Sequence, residues 1–229
     1  MTLGMRAYAD QVQTAIASID LATIEQIVDS LEDAFRRGRH VFVMGNGASA
    51  ALASHMACDL GKGTAIDIGL GTTDSGLSRL RVVSLVDNTA LLTALSNDVR
   101  YEDVFVEQLK NLLVAGDVVM GISGSGGSPN VLRAMEYART RGATTIGLTG
   151  SQPNSRLMCA VSDIVAQVPL TVMEQIEDVH VIMHHMISIA LRERMASGMF
   201  ADRATSGHRR FGHVDSIQQA VPSFPASDD

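Results

Sequence analysis

Hydrophobic residues follow a helical period through the first part of the chain. Between residues 6 and 37, apolar side chains recur every three or four positions with charged residues between them, which is typical of helices with one buried face. Asp20 stands where the N-cap of a helix would be, and Gly38 stands where that helix would end. The segment therefore predicts two helices that precede the first strand.

Five short apolar runs follow, each of the length of a β-strand, and longer segments of helical period separate them. A strand that is apolar along its whole length has both faces buried, as in a parallel sheet covered by helices on either side. The pattern predicts an α/β fold, a three-layer α/β/α sandwich with a five-stranded parallel sheet and an N-terminal helical pair. The predicted strands are residues 40–44, 81–86, 117–122, 144–148 and 164–168, and the further helices are residues 48–60, 101–115, 128–140 and 171–195.

Two segments lack this patterning. Residues 61–78 are rich in glycine and threonine and predict a loop. Beyond about Ser197 the periodicity is lost, and the last eight residues contain two prolines, two serines and two aspartates. We therefore expect one domain over residues 1–196 and a flexible tail over residues 197–229.

Composition narrows the classes of function. The 229 residues carry a net charge of −7 with no basic run, which disfavours nucleic-acid binding because such proteins neutralise phosphates with clustered Lys and Arg. No apolar stretch reaches the roughly 18–20 residues of a membrane span. Cys58 and Cys159 lack the spacing of a pair, and the N-terminus lacks the pattern of a secretory leader. We expect a soluble protein of the reducing cytoplasm.

Two turns rich in glycine and serine follow predicted strands and open predicted helices. They are Gly-Asn-Gly-Ala-Ser at 45–49 and Ser-Gly-Ser-Gly-Gly-Ser at 123–128. Small residues let the backbone approach an anion closely, and helix N-termini supply free N–H groups and partial positive charge. Neither turn has the glycine spacing of a dinucleotide or nucleoside triphosphate site. Because ligands of open parallel sheets bind beyond the carboxyl ends of the strands, the turns predict one anion site.

A histidine and an aspartate with metal-ligand spacing lie in the third predicted helix. His55 and Asp59 are four residues apart and share one face, a spacing that can hold a divalent ion and that ordinary surface pairs also have. The last predicted helix carries a second polar group, and its spacing puts Glu177, His180 and His184 on one stripe. An exposed polar face would produce the same pattern.

The turns belong to a longer series of motifs. Ser-Asn-Asp stands at 96–98, Ile-Ser-x-Ser-Gly-x-Ser-Pro-Asn-Val at 122–131, and Arg-Gly-Ala-Thr-Thr-Ile-Gly-Leu-Thr-Gly at 141–150. Together with the first turn they resemble the sugar isomerase (SIS) family, in its sedoheptulose 7-phosphate (phosphoheptose) isomerase branch, over about residues 5–193, and the resemblance implies a sheet of flavodoxin-like type. The resemblance implies isomerisation of a ketose phosphate to an aldose phosphate, with sedoheptulose 7-phosphate as substrate and D-glycero-D-manno-heptose 7-phosphate as product, for the synthesis of nucleotide-activated heptose.

The resemblance also implies which residues bind the substrate. Asn97 and Asp98 match the pair that contacts the sugar in the family. Ala48 replaces a usual glycine and Gly124 a usual threonine, and both changes leave the backbone donors in place. The residues that match the phosphate site are Asn46, Gly47, Ala48, Ser49, Ser123, Gly124, Ser125 and Ser128.

A divalent metal, zinc in the family, is implied as cofactor. The matching ligands are His55, Asp59, Glu177 and His185, of which Asp59 is also the catalytic base, His185 the acid and Glu177 a substrate contact. Asp59 replaces a glutamate of the family pattern and Glu177 a glutamine, while nickel, manganese or iron would accept the same ligands.

The resemblance and the spacing disagree about the histidine on the last helix. The resemblance selects His185 and treats His180 as structural, whereas spacing selects His184. Glu177 and His185 lie about 12 Å apart along a helix, so they meet one ion only by reaching toward each other or from different subunits.

Partners and alternatives complete these expectations. The apolar faces of residues 6–37 and 171–195 exceed what one sheet can cover, so we expect a homo-oligomer, a tetramer by resemblance, that binds a sugar phosphate and neither nucleic acid nor membrane. One alternative is a non-catalytic regulatory member of the family, of the replication-initiation type. The other is an isomerase of a different phosphosugar, because residues 61–78 diverge from the family.

Overall fold

A computed structural model describes residues 4–64 and 79–205 of the chain, with side chains as far as residue 197. Helices and strands alternate along these residues. In chain order the elements are α1 (Met5–Ala17), α2 (Leu21–Arg36), β1 (His40–Gly45), α3 (Ala48–Gly61), β2 (Arg81–Ser84), α4 (Thr89–Asp98), a 3₁₀ turn (Tyr101–Asp103), α5 (Val104–Leu112), β3 (Val118–Ser123), α6 (Pro129–Thr140), β4 (Thr144–Thr149), α7 (Ser155–Val161), β5 (Ile164–Gln167) and α8 (Met173–Thr205).

The five strands form one parallel sheet in the order β2-β1-β3-β4-β5. In this register Gly45 pairs with Ile122, and Ser123 pairs with Thr149. The carboxyl ends of β1, β3 and β4 therefore lie side by side at one edge. All five predicted strands and their parallel direction are confirmed.

One face of the sheet packs against α5, α6 and α7. Phe42 of β1 and Val119 of β3 point to this face and join Phe105 of α5, Met135 of α6 and Met158 of α7 in one fully buried cluster. Large side chains that lose all contact with water stabilise the fold by roughly 1.5–3 kcal/mol each. This cluster fixes the helices that follow β3 and β4 against the sheet.

The opposite face is covered by α2 and α3. Successive residues of a strand point to opposite faces, so Val41 and Val43 face away from the first cluster, and both are fully buried. Helices α2 and α3 contact β1 and β3 but contribute no residue to the first cluster. The three-layer arrangement predicted from the pattern is confirmed.

Several helix boundaries follow from recognisable residues. Asp20 caps α2, because its side chain accepts a hydrogen bond of 3.0 Å from the amide of Ala22. Gly38, with φ of 62°, takes the chain out of that helix in a conformation that favours glycine. Within the described residues, no helix combines the length and the hydropathy that a membrane span requires.

Other boundaries differ from the prediction. The helix predicted over residues 101–115 begins with the 3₁₀ turn and ends at Leu112, because Leu113 is extended. Helix α8 continues ten residues beyond the predicted end, to Thr205. Helices α4 and α7 were not predicted, since α4 buries none of its residues and α7 has only seven.

The sequence predicted one domain over residues 1–196 and a flexible tail over residues 197–229. The chain divides into two units, Met1–Ala196 and Ser197–Asp229. Residues 206–229, which include most of the predicted tail, lie outside the described residues, and so do residues 65–78 of the predicted loop. A domain over residues 1–196 with a flexible tail stays a prediction.

A buried carboxylate joins the amino ends of β1 and β3. Asp117 is completely buried and accepts two hydrogen bonds of 2.9 Å, from the amide of His40 and from the amide of Val114. A buried N–H without a partner costs about 1–3 kcal/mol. Asp117 therefore supports the pairing of the two strands on which the candidate site depends.

We expect Asp117→Ala to lower the free energy of unfolding by about 2–4 kcal/mol, because it leaves two buried amides without acceptors. Urea unfolding followed by circular dichroism measures the change. Asp33→Ala is the control, since Asp33 is 57% exposed in a surface pair with Arg37 and should change stability by less than about 0.5 kcal/mol. Equal stability of the two variants would contradict this role of Asp117.

Candidate functional site

The two glycine-rich turns lie next to each other because β1 and β3 are neighbours in the sheet. In the first turn, a Cβ on Gly45 would lie 2.7 Å from the backbone of Ser49. Gly47 has φ of 56° and ψ of −123°, a conformation that side chains with a Cβ rarely adopt. Both glycines are therefore required for the chain to turn directly from β1 into α3.

Three serine hydroxyls converge in the second turn. The Oγ of Ser123 lies 3.0 Å from the Oγ of Ser128 and 3.5 Å from that of Ser125. Ser123 is 3% exposed, and the hydroxyl of Ser125 also accepts a bond of 3.3 Å from the amide of Gly127. Hydroxyls grouped in this way can turn their hydrogens toward one bound anion.

The helices that leave the two turns begin without side-chain caps. Gly47 precedes α3 and offers no side chain, and Ser128 precedes α6 without a capping hydrogen bond, since its hydroxyl lies against Ser123. The first amides of a helix have no partner within the helix, but in α6 Pro129 has no N–H and the amide of Val131 donates to Oδ1 of Asn130 at 3.0 Å. The free amides at the start of α3 and the hydroxyls grouped in the second turn form a cradle suited to a phosphate.

An asparagine pair ties the first turn to α6. Asn46 and Asn130 donate to each other's side-chain oxygens at 2.8 and 2.9 Å. The hydroxyl of Tyr101 donates to Asn46 at 2.8 Å. Neither Tyr101 nor Asn130 was predicted as a site residue, although Asn130 lies within a recognised motif, and nothing in the sequence distinguishes Tyr101.

A cavity of about 650 Å³ opens beside this pair. Asn46, Gly47, Asn97 and Tyr101 are among the residues that line it. Asn97 lies in the last turn of α4 and donates to the carboxylate of its neighbour Asp98 at 2.8 Å. The volume falls in the range that small-molecule sites occupy.

Four possible metal ligands meet where α3 packs against α8. His55 and Asp59 come from α3, and His184 and His185 come from α8. These four residues are called the cation group below. One donor atom from each lies within 4.8 Å of the others. The Oδ2 of Asp59 is central, at 3.3 Å from Nε2 of His55, 3.3 Å from Nε2 of His184 and 3.9 Å from Nε2 of His185.

These side chains differ sharply in exposure. His55 and His185 are 45% and 47% exposed and Asp59 is 31% exposed, whereas His184 is completely buried. Burial, and then the neighbouring His55, lower the pKa of His184 to about 4. Its ring is therefore neutral at pH 7, and one nitrogen has a free lone pair.

The group fits a divalent cation. Imidazole nitrogens and carboxylate oxygens bind zinc at about 2.0–2.2 Å, so the donors around a tetrahedral ion are about 3.3–3.6 Å apart. The distances of 3.3, 3.3 and 3.9 Å around Asp59 are close to that spacing. Small adjustments of exposed side chains would complete the coordination.

Glu177 lies in a second cavity, of about 330 Å³, which His55, Ser49 and His180 also line. Burial and the nearby Glu174 and Asp178 raise the pKa of Glu177. Of the four predicted ligands, the structure thus groups His55, Asp59 and His185, and the fourth member of the group is His184 in place of Glu177. His180 is completely buried, and burial lowers its pKa to about 4.

Comparison with known proteins places these features in a family. The sequence profile of the SIS domain matches residues 6–150. A phosphoheptose isomerase of Pelobacter propionicus is 39% identical over 69% of this chain and 77% of its own length, and one of Trichlorobacter lovleyi is 35% identical over 79% of this chain and 86% of its own. The structure of a phosphoheptose isomerase from Neisseria gonorrhoeae superposes with a TM-score of 0.70 at 26% identity, over 81% of this chain and 95% of that one.

We expect Ser125→Ala to weaken the binding of a ketose phosphate about 10- to 100-fold, because one hydrogen bond to a charged group is lost. Calorimetry measures the affinity, and Ser30→Ala on α2 is the control for loss of a hydroxyl. The fold should be unaffected, since the hydroxyl of Ser125 is only partly buried. An unchanged affinity in Ser125→Ala would exclude the cradle as the phosphate site.

Proposed function

The chain belongs to the SIS domain family, in the branch of the phosphoheptose isomerases, and from this we propose that it converts sedoheptulose 7-phosphate into D-glycero-D-manno-heptose 7-phosphate. It is an aldose–ketose phosphate isomerase that supplies heptose biosynthesis. One observation carries this proposal: helix α3 begins at a phosphate cradle and bears a histidine–carboxylate group suited to a metal further along.

The cradle holds the phosphate at carbon 7. The uncapped amides at Ala48 and Ser49 and the hydroxyls of Ser123, Ser125 and Ser128 donate to its oxygens. A Cβ at Gly124 would lie 2.5 Å from the sulfur of Met173 at the start of α8, so a larger residue here would require that flexible side chain to move. Asn97 and Asp98, at the end of α4, contact the hydroxyl groups of the sugar.

Asp59 is the proposed base. It removes a proton from carbon 1, next to the carbonyl at carbon 2, and the oxygen at carbon 2 takes up a proton to give an enediol. His185 then returns a proton to carbon 2, while the hydroxyl at carbon 1 loses its proton and becomes the carbonyl of the aldose. Asp59 is only partly exposed, and three histidines surround it. Its side chain is one methylene shorter than the glutamate of the family pattern, and a misplacement of about 1 Å can cost roughly 10²-fold in rate.

A divalent cation, for which zinc is our proposal, would be held by His55, Asp59 and His185 and would polarise the substrate carbonyl. The donors are nitrogen and oxygen atoms, which zinc, nickel, manganese and iron all accept. Glu177 faces the cavity that His55 also lines. Its proposed role is therefore to contact the substrate.

The distance between the cradle and the cation group fits the length of the substrate. Ser49 and Asp59 are ten residues apart on α3, about 15 Å along the axis. The carbon chain with its phosphate ester spans about 12 Å, and the contacts to the phosphate and to the base add about 3 Å at each end. One substrate molecule can therefore reach from the cradle to Asp59 along α3.

Exposed apolar residues support a homo-oligomer. Met5 of α1 is 92% exposed and Leu21 of α2 is 59% exposed, and α4 buries none of its residues. We propose a homotetramer on this basis and on the family. A cytoplasmic location completes the proposal, and the two free thiols, Cys58 and Cys159, agree with a reducing compartment.

A panel of ketose phosphates tests the activity. We expect turnover of sedoheptulose 7-phosphate that disappears after treatment with a chelator and returns when zinc is added, because the cation stabilises charge on the substrate oxygen. If the protein turns over only a shorter ketose phosphate, that compound is its substrate and sedoheptulose 7-phosphate is not. No turnover of any member by the zinc-loaded protein would indicate the regulatory alternative.

Asp59→Asn should lower kcat by about 10²–10⁴-fold, since an amide cannot accept the proton at neutral pH. Asp59→Glu keeps the charge and should retain measurable turnover. Zinc content is measured in each variant, because Asp59 also belongs to the cation group, and rates are compared per bound zinc. The control is Asp33→Asn on α2.

Full turnover by zinc-loaded Asp59→Asn would show that the base lies elsewhere, with Glu177 as the next candidate. Glu177 already has a raised pKa in its cavity, so Glu177→Gln would then be the variant without activity.

A further inference from the structure

His184 is buried without a hydrogen-bonding partner. Its side chain is completely inaccessible to water, and neither ring nitrogen makes a hydrogen bond to any residue that the structure describes. Buried polar atoms almost always have a partner, because loss of hydration is otherwise uncompensated. His180 is buried without a partner as well, but of the two rings it is that of His184 that lies beside the other possible metal ligands.

Nε2, one of the two unpartnered nitrogens, points at the other members of the cation group. Nε2 of His184 lies 3.3 Å from Oδ2 of Asp59, and the ring centre lies 4.7 Å from that of His55. These contacts are as short as those of His55 itself, whose Nε2 is also 3.3 Å from the same oxygen. His185 is slightly farther, at 3.9 Å.

We propose that His184 is a ligand of the cation together with His185, so that the centre consists of three imidazoles and one carboxylate. The inference rests on the proposed metal dependence and refines it. Spacing selects His184 and family resemblance selects His185. In this proposal both histidines bind the cation.

The packing of two helices makes this possible. Adjacent residues on a helix point about 100° apart, so His184 and His185 would not normally share a ligand. Here α3 lies against α8 so that Asp59 faces the position between them, and the two rings are 4.8 Å apart. His184 approaches from the buried side and His185 from the side open to solvent.

The centre is then complete within one chain and does not require Glu177. Glu177 precedes His184 by seven residues, about 10 Å along α8, and it is not part of the four-residue group. Its carboxylate stays free in the cavity beside His55. The carboxylate of Asp59 is then the single anionic ligand of a centre that is otherwise neutral.

X-ray absorption of the zinc-loaded full chain counts the imidazoles directly. We expect three in the unaltered protein and two in His184→Asn. Competition with a chromophoric chelator should show that zinc binds about 100-fold or more weakly to His184→Asn, since even outer-shell partners of metals contribute 10- to 100-fold. His185→Asn should lose one imidazole as well.

His180→Asn is the matched control, because His180 is an equally buried histidine one turn earlier on α8 and lies outside the group. It should change zinc affinity by less than about threefold, as should Glu177→Gln. A count of two imidazoles in the unaltered protein would overturn the proposal. This measurement does not depend on whether His184→Asn folds. An unchanged zinc affinity in folded His184→Asn would overturn it equally.

The outcome is separate from that of the isomerase proposal. A three-imidazole zinc centre in a protein without isomerase activity would support this inference and reject the proposed function. Metal-dependent turnover by a protein whose zinc has only two imidazole ligands would support the proposed function and reject this inference.

Discussion

The parallel pairing of β1 with β3 is the constraint on which the rest of the site depends. These strands are not consecutive along the chain, and their pairing sets Gly45 beside Ile122, so that two turns far apart in sequence end at the same edge of the sheet. This is the point of an open sheet where ligands bind. The buried Asp117 holds the other end of the same pair, so the position of the cradle rests on a hydrogen-bonded carboxylate at the opposite edge.

Helix α3 connects the cradle to the cation group. It starts at Gly47 because only glycine adopts the required turn, and its buried residues Leu52, Met56 and Leu60 fix its rotation against the sheet. His55 and Asp59 then face α8. A rigid helix sets the separation of the cradle and the cation group at about 15 Å along its axis, a distance that a seven-carbon substrate spans together with its phosphate and its contacts at both ends.

The sequence predicted the sheet well because each strand is a continuous apolar run, and it predicted α2 because Asp20 and Gly38 mark its ends. It missed α4, since a helix that buries no residue has no apolar stripe to detect. For the cation group, the four-residue spacing on α3 indicated His55 and Asp59. Spacing indicated His184 and resemblance indicated His185, but neither showed that both rings lie beside Asp59, because that depends on how α3 packs across α8.

In the proposed reaction Asp59 removes a proton from carbon 1 of a phosphorylated ketose and His185 delivers a second proton, exchanged with solvent, to carbon 2. The most direct measurement is nuclear magnetic resonance of sedoheptulose 7-phosphate incubated in heavy water with the zinc-loaded protein. The account predicts deuterium at carbon 1 of the recovered ketose and at carbon 2 of the aldose product, because the base and acid exchange protons with solvent. A product formed without any deuterium at carbon 2, or no exchange and no product at all, would contradict it.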